Sequence, residues 1–587
     1  MIVDSSVSSQ NAIFPPRGWN SYDSFSWVIS EKEYLQNADI ISQRLLVHGY
    51  QYAVVDYLWY RSLKGGNNSL GFDTIDKWGR LLPDPERWPS SSEGRGFIEV
   101  ADKVHSMGLK FGVHLMAGIS TQAFNNNTPI LDTTTGQAYE ESGRLWHAKD
   151  IGIPARACEW MTNGFMAINA TNGAGKAFLR SIYELYASWG VDFVKLDCVF
   201  GADLDLDEIT SVSQILKDLN HSIVLSLSPG VGATPDMAKA ISGLVNTYRI
   251  TGDDWDEWPA ILAHFNVSRD FAAAKLIGVE GLKGNSWPDL DMLPFGWLTD
   301  PGVNEGPHRF SRLSQEEKRT QMTLGCMAKS PIMYGGDLRK LDKWTYHLIT
   351  NPTLLEINSF SSNNTEFPYI TRLNDVKIEG QDVKKVPFTH SLALTGCTDP
   401  KASGWSSEKY NQDLERICYR KNQEEPFCLH KKELLDERSM YKGKLQLMVI
   451  NRKQFYLDAY PKRTLSNQEV KKEGPFSPCK FEASQMWELK SNGTLINSHS
   501  GMCATVEYVQ DEGYANGIRS WVATGRKGET YVAFFNLNDE KTTISAKIGD
   551  LASVLPGRKL RGCMGRDMWS GRTIQINEML SAKACTL

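Results

Sequence analysis

The stretch Asp192 to Asp203, DFVKLDCVFGAD, decides how the chain is read. Its length and its Phe, Val and Leu content are those of a buried strand. Yet Lys195, Asp197 and Cys198 crowd into four of its positions. Burying an ionised group costs several kcal/mol unless the charge is paired or used. The segment is therefore either a salt-bridged core strand or one wall of a site. Lys195 and Asp197, two positions apart, share one face, and a lysine beside a carboxylate favours its charged, nucleophilic form.

Around this stretch, from residue 30 to about 350, short β-branched runs alternate with longer helical segments. YQYAVVDYLW, LKFGVHLM, HSIVLSLS, LVNTYRITG and SPIMYG read as further strands. EKEYLQNADIISQRLL, GKAFLRSIYELYASWG and SQEEKRTQMTLGCMAK read as helices, the last opened by Ser314 and Glu317 at capping-box spacing. Strict alternation over some 300 residues implies a parallel sheet, and its length suits a (β/α)8 TIM barrel, with an open doubly wound sheet as the alternative. Several strands end on polar groups: Asp56, His114, Asp197, Ser228, and Arg249 with Asp253. In such barrels the carboxyl ends of the strands carry the chemistry, so these residues point to a common site.

The alternation stops near residue 360. SWVATG, GETYVAFFNLN and TTISAKIG alternate as antiparallel strands do. The organisation expected is a catalytic barrel over 1–355, a C-terminal β-sandwich from 356–378 and 510–587, and an all-β insert over 379–509. Within the insert, Gln485-Met486-Trp487 followed by GTLIN and a cysteine resembles one repeat of a ricin-type β-trefoil lectin module. A disulfide-bonded irregular insertion is the alternative.

Composition narrows the function. Basic and acidic side chains number 64 and 69, with no basic cluster on a periodic face, so neither nucleic acid nor a membrane surface is the expected partner. No apolar run reaches the roughly 18 residues of a spanning helix, and MIVDSSVSSQ lacks a signal peptide's apolar core. Sequons at Asn67, Asn126, Asn169, Asn220, Asn266, Asn363 and Asn492, with ten cysteines free of zinc spacing, favour a secreted, cell-wall, vacuolar or lysosomal protein whose leader is absent from this chain.

Nucleotide-loop, serine-elbow and zinc-protease motifs are absent, and carboxylates remain. YRITGDDWDEW sets Asp253, Asp254, Asp256 and Glu257 behind Arg249 and between Trp255 and Trp258. Aromatic surroundings desolvate a carboxyl and keep its proton near neutrality, as a general acid requires. A nucleophilic carboxylate paired with a protonated carboxyl is the apparatus of glycosidic cleavage. A calcium loop is the weaker reading, because the run lacks the alternating ligand spacing, central glycine and distal Glu. RGWNSYDSF, DYLWYR and NSWPDLDMLPFGW add aromatic and charged groups suited to a sugar.

GWNSY, VVDYLW, FVKLDC, YRITGDDWDEW, WPDLDML, SPIMYGGDL and NPTLLEIN, in this order, resemble glycoside hydrolase family 27, the α-galactosidase or melibiase family. The resemblance covers residues 12–360 and resumes in VAFFNLN and RDMWSG. It implies a barrel followed by a sandwich, a retaining mechanism on a glycan or oligosaccharide substrate, and no metal or cofactor. It further implies Asp197 as nucleophile and Asp253 as acid/base. Trp19, Asp56, Lys195, Arg249 and Met292 match sugar-contacting positions, and Cys158 and Cys198 match a disulfide beside the pocket. Three departures alter the rim: Tyr57 stands where the family has a second acid, His114 where a tyrosine is usual, and Ser228 where a larger polar group is common. A phenol at residue 57 disfavours an exocyclic CH2OH, so β-L-arabinopyranosides join α-D-galactosides as expected substrates. α-N-acetylgalactosaminidase is the alternative activity, and an inactive carbohydrate-binding protein the alternative class. The trefoil-like insert is a second candidate glycan site.

Overall fold

The computed structural model describes residues 10–201, 204–230, 232–366, 389–409, 415–420, 427–433, 444–451, 453–457, 476–477, 485–497, 500–509, 517–538, 541–548, 551, 563–576 and 579–584. Eight parallel strands form the barrel: β1 (Arg17–Asn20), β2 (Tyr52–Val55), β3 (Lys110–Met116), β4 (Phe193–Phe200), β5 (Val224–Pro229), β6 (Thr247–Arg249), β7 (Gly284–Asp289) and β8 (Ile332–Tyr334). They pair in the order β8-β1-β2-β3-β4-β5-β6-β7. The sheet closes just past β7: the Leu293 N–H donates to the Met333 carbonyl at 2.7 Å, and the Gly335 N–H to the Leu293 carbonyl at 3.0 Å.

Side-chain size fits the closure. Tyr52, Val54, Phe193, Val224, Met292 and Met333 cluster together. Gly18 and Gly112 lie in register beside Tyr52, Val54 and Phe193, and a β-carbon on Gly18 would fall 2.3 Å from the Tyr52 carbonyl oxygen. Small residues next to large ones let the layer fill without strain. Outside the strands, helices such as Glu31–Ile40, Gly173–Ser188 and Gln315–Met327 lay apolar faces on the barrel. The expected capping box forms: Ser314 Oγ accepts from the Glu317 N–H at 3.1 Å, and Glu317 Oε2 from the Ser314 N–H at 2.6 Å.

The chain divides into two compact units, Met1–Ile370 with Asn516–Leu587, and Thr371–Ala515. In the first, antiparallel strands Ser362–Glu366, Ile518–Thr524 and Thr530–Asn536 form the sheet of the C-terminal domain that meets the barrel. Trp521, Ala523 and Phe535 join the barrel's core, and Phe535 meets Phe265 edge-on at 5.0 Å. The second unit is antiparallel β throughout its described strands, around Trp405, Leu429, Leu447, Trp487 and Leu495. Trp487 of the Gln-Met-Trp triplet is fully buried there, its indole N–H donating to the Leu457 carbonyl at 2.9 Å. Disulfides Cys397–Cys503 and Cys418–Cys428 brace this unit. Among the described residues no helix is long and apolar enough to cross a membrane.

Candidate active site

The strand period of two decides what reaches the barrel mouth. On β1, Asn20 turns inward and its amide donates to Asp56 Oδ2 at 2.7 Å, whereas Trp19 points to the opposite side. Trp19 is fully buried against Phe25 and Tyr34, the latter on the helix Glu31–Ile40. It is therefore no sugar contact, contrary to expectation. Tyr22, three residues on, is the aromatic that faces the site, 5.4 Å from the Tyr57 ring and 5.6 Å from Trp255.

Asp56, just past β2, is nearly inaccessible and densely held. Lys195 Nζ donates to its Oδ2 at 3.0 Å and the Tyr57 N–H to its Oδ1 at 2.8 Å. Burial pushes the Asp56 carboxyl up, but Lys195, His114 and these hydrogen bonds outweigh it and hold the group well below the usual carboxylate range. Lys195 is likewise driven down by burial, yet Asp56 and Asp291 more than restore it. The direct partner of Lys195 is thus Asp56, not the Asp197 two positions away on its own strand.

Asp197 finds other partners. His114 Nε2 lies 2.9 Å from its Oδ2, and the Cys198 N–H donates to its Oδ1 at 2.5 Å. A carboxylate only accepts, so the His114 proton sits on Nε2 and donates. Burial raises the Asp197 carboxyl, and His114, Lys195 and Arg249 overcome it and keep the group below its ordinary value. Cys198, at positive φ, is tied to Cys158 by the disulfide that the resemblance implied.

Arg249 ends β6 and braces three elements. It donates to the Pro229 carbonyl, to Asp291 Oδ2 at 3.0 Å and to Asp253 Oδ1 at 2.8 Å. Burial lowers the guanidinium, and the charges of Asp291, Asp253 and Asp197 reverse that shift; of the two proposed catalytic carboxylates Asp253 bonds Arg249 directly and Asp197 acts on it through charge. The aromatic desolvation expected for Asp253 falls elsewhere. The Asp253 side chain is 57% exposed, whereas Asp254 is buried, bonded to Gln321, and raised well above the carboxylate range by burial and by Asp291 and Asp23.

Tyr57 is buried, with Tyr22, His114 at 6.1 Å and Trp160 at 5.9 Å around its ring. Ser228 is buried at the end of β5, its hydroxyl without a hydrogen-bond partner among the described residues. Met292 packs among the barrel-filling side chains. Three residues went unread in the sequence. Asn20 holds Asp56, Asp291 holds Arg249 and accepts the Asp254 N–H at 2.9 Å, and Trp160 stands at the rim. Asp291 carried a readable signal, a carboxylate just past a strand in WPDLDML. For metals, Glu408, Cys418 and Cys428 approach ligand spacing among the described residues, but the two sulfurs are spent in a disulfide.

A family model described as α-galactosidase A matches residues 179–360, and one described as the α-galactosidase C-terminal β-sandwich domain matches residues 515–585. The chain is 25% identical over 350 residues to an α-galactosidase of Oryza sativa subsp. japonica, which is 59% of this chain and 64% of that one. To an α-N-acetylgalactosaminidase of Mus musculus it is 26% identical over 363 residues, 59% of this chain and 68% of that one. The match thus takes in less than two thirds of the rice protein's own length. A solved family 27 β-L-arabinopyranosidase from Geobacillus stearothermophilus shares the fold with a TM-score of 0.64 at 24% identity, covering 98% of this chain and 94% of that one.

Proposed function

We propose, from the premise that the chain belongs to glycoside hydrolase family 27, that it is a retaining exo-glycosidase removing terminal β-L-arabinopyranosyl and α-D-galactosyl residues. Asp197 attacks the anomeric carbon while Asp253 gives its proton to the departing oxygen, leaving a glycosyl ester on Asp197. Asp253 then takes a proton from water, whose oxygen displaces Asp197 and releases the sugar with retained configuration. The surroundings support these roles. Asp197 is ionised and fixed through both oxygens by His114 and the Cys198 N–H, so it presents a charged, oriented nucleophile. The exposure of Asp253 gives it access to the leaving group and to water. Asp56, Lys195 and Arg249 supply charged hydrogen-bonding groups for ring hydroxyls.

The observation that carries the substrate reading is Tyr57, a buried ring wedged among aromatics beside the family's sugar-binding aspartate. β-L-Arabinopyranose has the ring configuration of α-D-galactopyranose without its CH2OH. A ring at that corner favours arabinose by about 1 to 3 kcal/mol. The related Geobacillus structure is described as a β-L-arabinopyranosidase. The test is kcat/KM on the two 4-nitrophenyl glycosides with wild type and Tyr57→Ala. Arabinoside is expected to equal or exceed galactoside in wild type, with the ratio moving toward galactoside in the variant. A galactoside preference of about a hundredfold in wild type would refute the reading.

Ser228 favours a second reading, because it is a small side chain at the end of β5 whose hydroxyl has no hydrogen-bond partner among the described residues, and one relative is named for N-acetylgalactosamine. The N-acetylgalactosaminide belongs in the same panel. Passage through the secretory pathway is supported by three disulfides among the described residues and by exposed asparagines at all seven sequons. Protein from its native source should lose mass on treatment with an endoglycosidase; an unchanged mass would count against that passage.

A further inference from the structure

We propose that Trp160, the outer ring of the aromatic run Trp255, Tyr22, Tyr57 and Trp160, is a stacking platform for the leaving group, selecting aglycones that present a flat apolar face. Such a face belongs to an aryl group or to the C–H side of a second pyranose ring. The proposal rests on the glycosidase reading and specifies the far side of the scissile bond.

The four rings form one continuous arc, with centroids 5.6 Å apart from Trp255 to Tyr22, 5.4 Å from Tyr22 to Tyr57 and 5.9 Å from Tyr57 to Trp160. Its ends are anchored to the two catalytic segments. Trp255 follows Asp253 by two residues. Trp160 follows Cys158 by two, and the disulfide to Cys198 fastens it beside Asp197. A sugar held between the two catalytic segments extends its leaving group toward solvent, and the arc that joins those segments offers it an exposed ring at Trp160.

Exposure singles out one end of the arc. Trp255 and Tyr22 are half-buried and Tyr57 is 6% exposed, while Trp160 is 44% exposed. A tryptophan that meets Tyr57 edge-on and leaves part of its surface to water gains apolar contact when a flat group stacks on it. The inner rings lie nearer the sugar; the outer ring is open to what is attached to it.

The experiment compares wild type, Trp160→Phe and Trp160→Ala on three substrates of the same sugar: the 4-nitrophenyl glycoside, a disaccharide with a pyranosyl aglycone, and the glycosyl fluoride. The fluoride has no aglycone to stack and serves as the internal reference. In Trp160→Ala, kcat/KM for the nitrophenyl glycoside, the disaccharide or both should fall by about tenfold relative to the fluoride, as stacking energies imply, and Trp160→Phe should restore much of it. The arm that falls identifies the aglycone as aryl or pyranosyl. Equal effects on all three substrates, or no effect on any, overturn the subsite while leaving the glycosidase reading intact. Failure of wild type on all three overturns the glycosidase reading and the subsite with it.

Discussion

Asp197 keeps its charge in a nearly dry place because three cations or donors outweigh the cost of burial. His114 is the nearest, at 2.9 Å. Replacing it with Phe should raise the Asp197 carboxyl, since burial remains and the hydrogen bond goes. The acid limb of the kcat/KM profile then moves to higher pH by about one unit, as loss of a charge-assisted hydrogen bond implies. A limb that stays in place would show that His114 does not set the nucleophile's charge. The Asp56–Lys195 pair behaves differently, because neither member has an escape to water. Lys195→Met leaves a buried carboxylate uncompensated, and the expected loss is about 3 to 5 kcal/mol. Asp56→Asn in addition should recover part of the melting temperature. Failure to recover any would indicate that lost packing, not the stranded charge, causes the fall. At this scale the sequence showed which residues are charged but not which pair forms. Lys195 shares a strand face with Asp197, and bonding across the barrel to Asp56 depends on neighbouring strands. Trp19 failed for the opposite reason, since strand periodicity, applied to Asn20, would have turned it outward.

The loop that carries the proposed acid, Asp253, is held from outside the barrel. Asp256, three residues beyond Asp253, accepts Arg309 at 2.6 and 2.9 Å and the Arg312 N–H at 2.7 Å. Arg309 lies on the short strand Arg309–Phe310, paired with Trp297–Leu298. Arg309→Ala should loosen the loop and lower kcat on substrates with poor leaving groups by about tenfold, with a smaller effect on the glycosyl fluoride, which needs less protonation. A uniform loss across leaving groups would contradict the positioning role. Strands β2 to β6 and β8 were legible as β-branched runs. The remaining two were not, because RGWN is short with glycine and asparagine, and GNSWPD contains a proline that reads as a strand breaker. Both form because neighbours pair with them on either side, β8 and β2 with β1, β6 and the antiparallel segment Val279–Gly281 with β7, a tertiary effect that no local pattern records.

A buried ion pair within the sandwich reaches the barrel through one hydrogen bond. Arg519 on the strand Ile518–Thr524 bonds Glu366 and donates to Asn266 Oδ1 at 2.9 Å, on the helix Trp258–Ala273 that follows the acid's loop. Arg519→Met strands Glu366, and a loss of about 3 to 5 kcal/mol is expected, read as a lower melting temperature. An unchanged melting temperature would mean the apolar contacts around Trp521 and Phe535 suffice. The change from alternating to antiparallel patterning placed the end of the barrel in the sequence, but the docking of Arg519 on Asn266 joins positions 253 residues apart and left no local trace. What unites these scales is the claim that Asp197 becomes covalently bonded to the sugar. The most direct measurement is mass spectrometry of peptides after reaction with an activated 2-deoxy-2-fluoro glycoside of the preferred sugar, which slows release of the ester. One fluoroglycosyl unit on the peptide containing Asp197, absent in Asp197→Asn, is the predicted result. Label on another carboxylate, or turnover with inverted configuration and no label, would contradict the account.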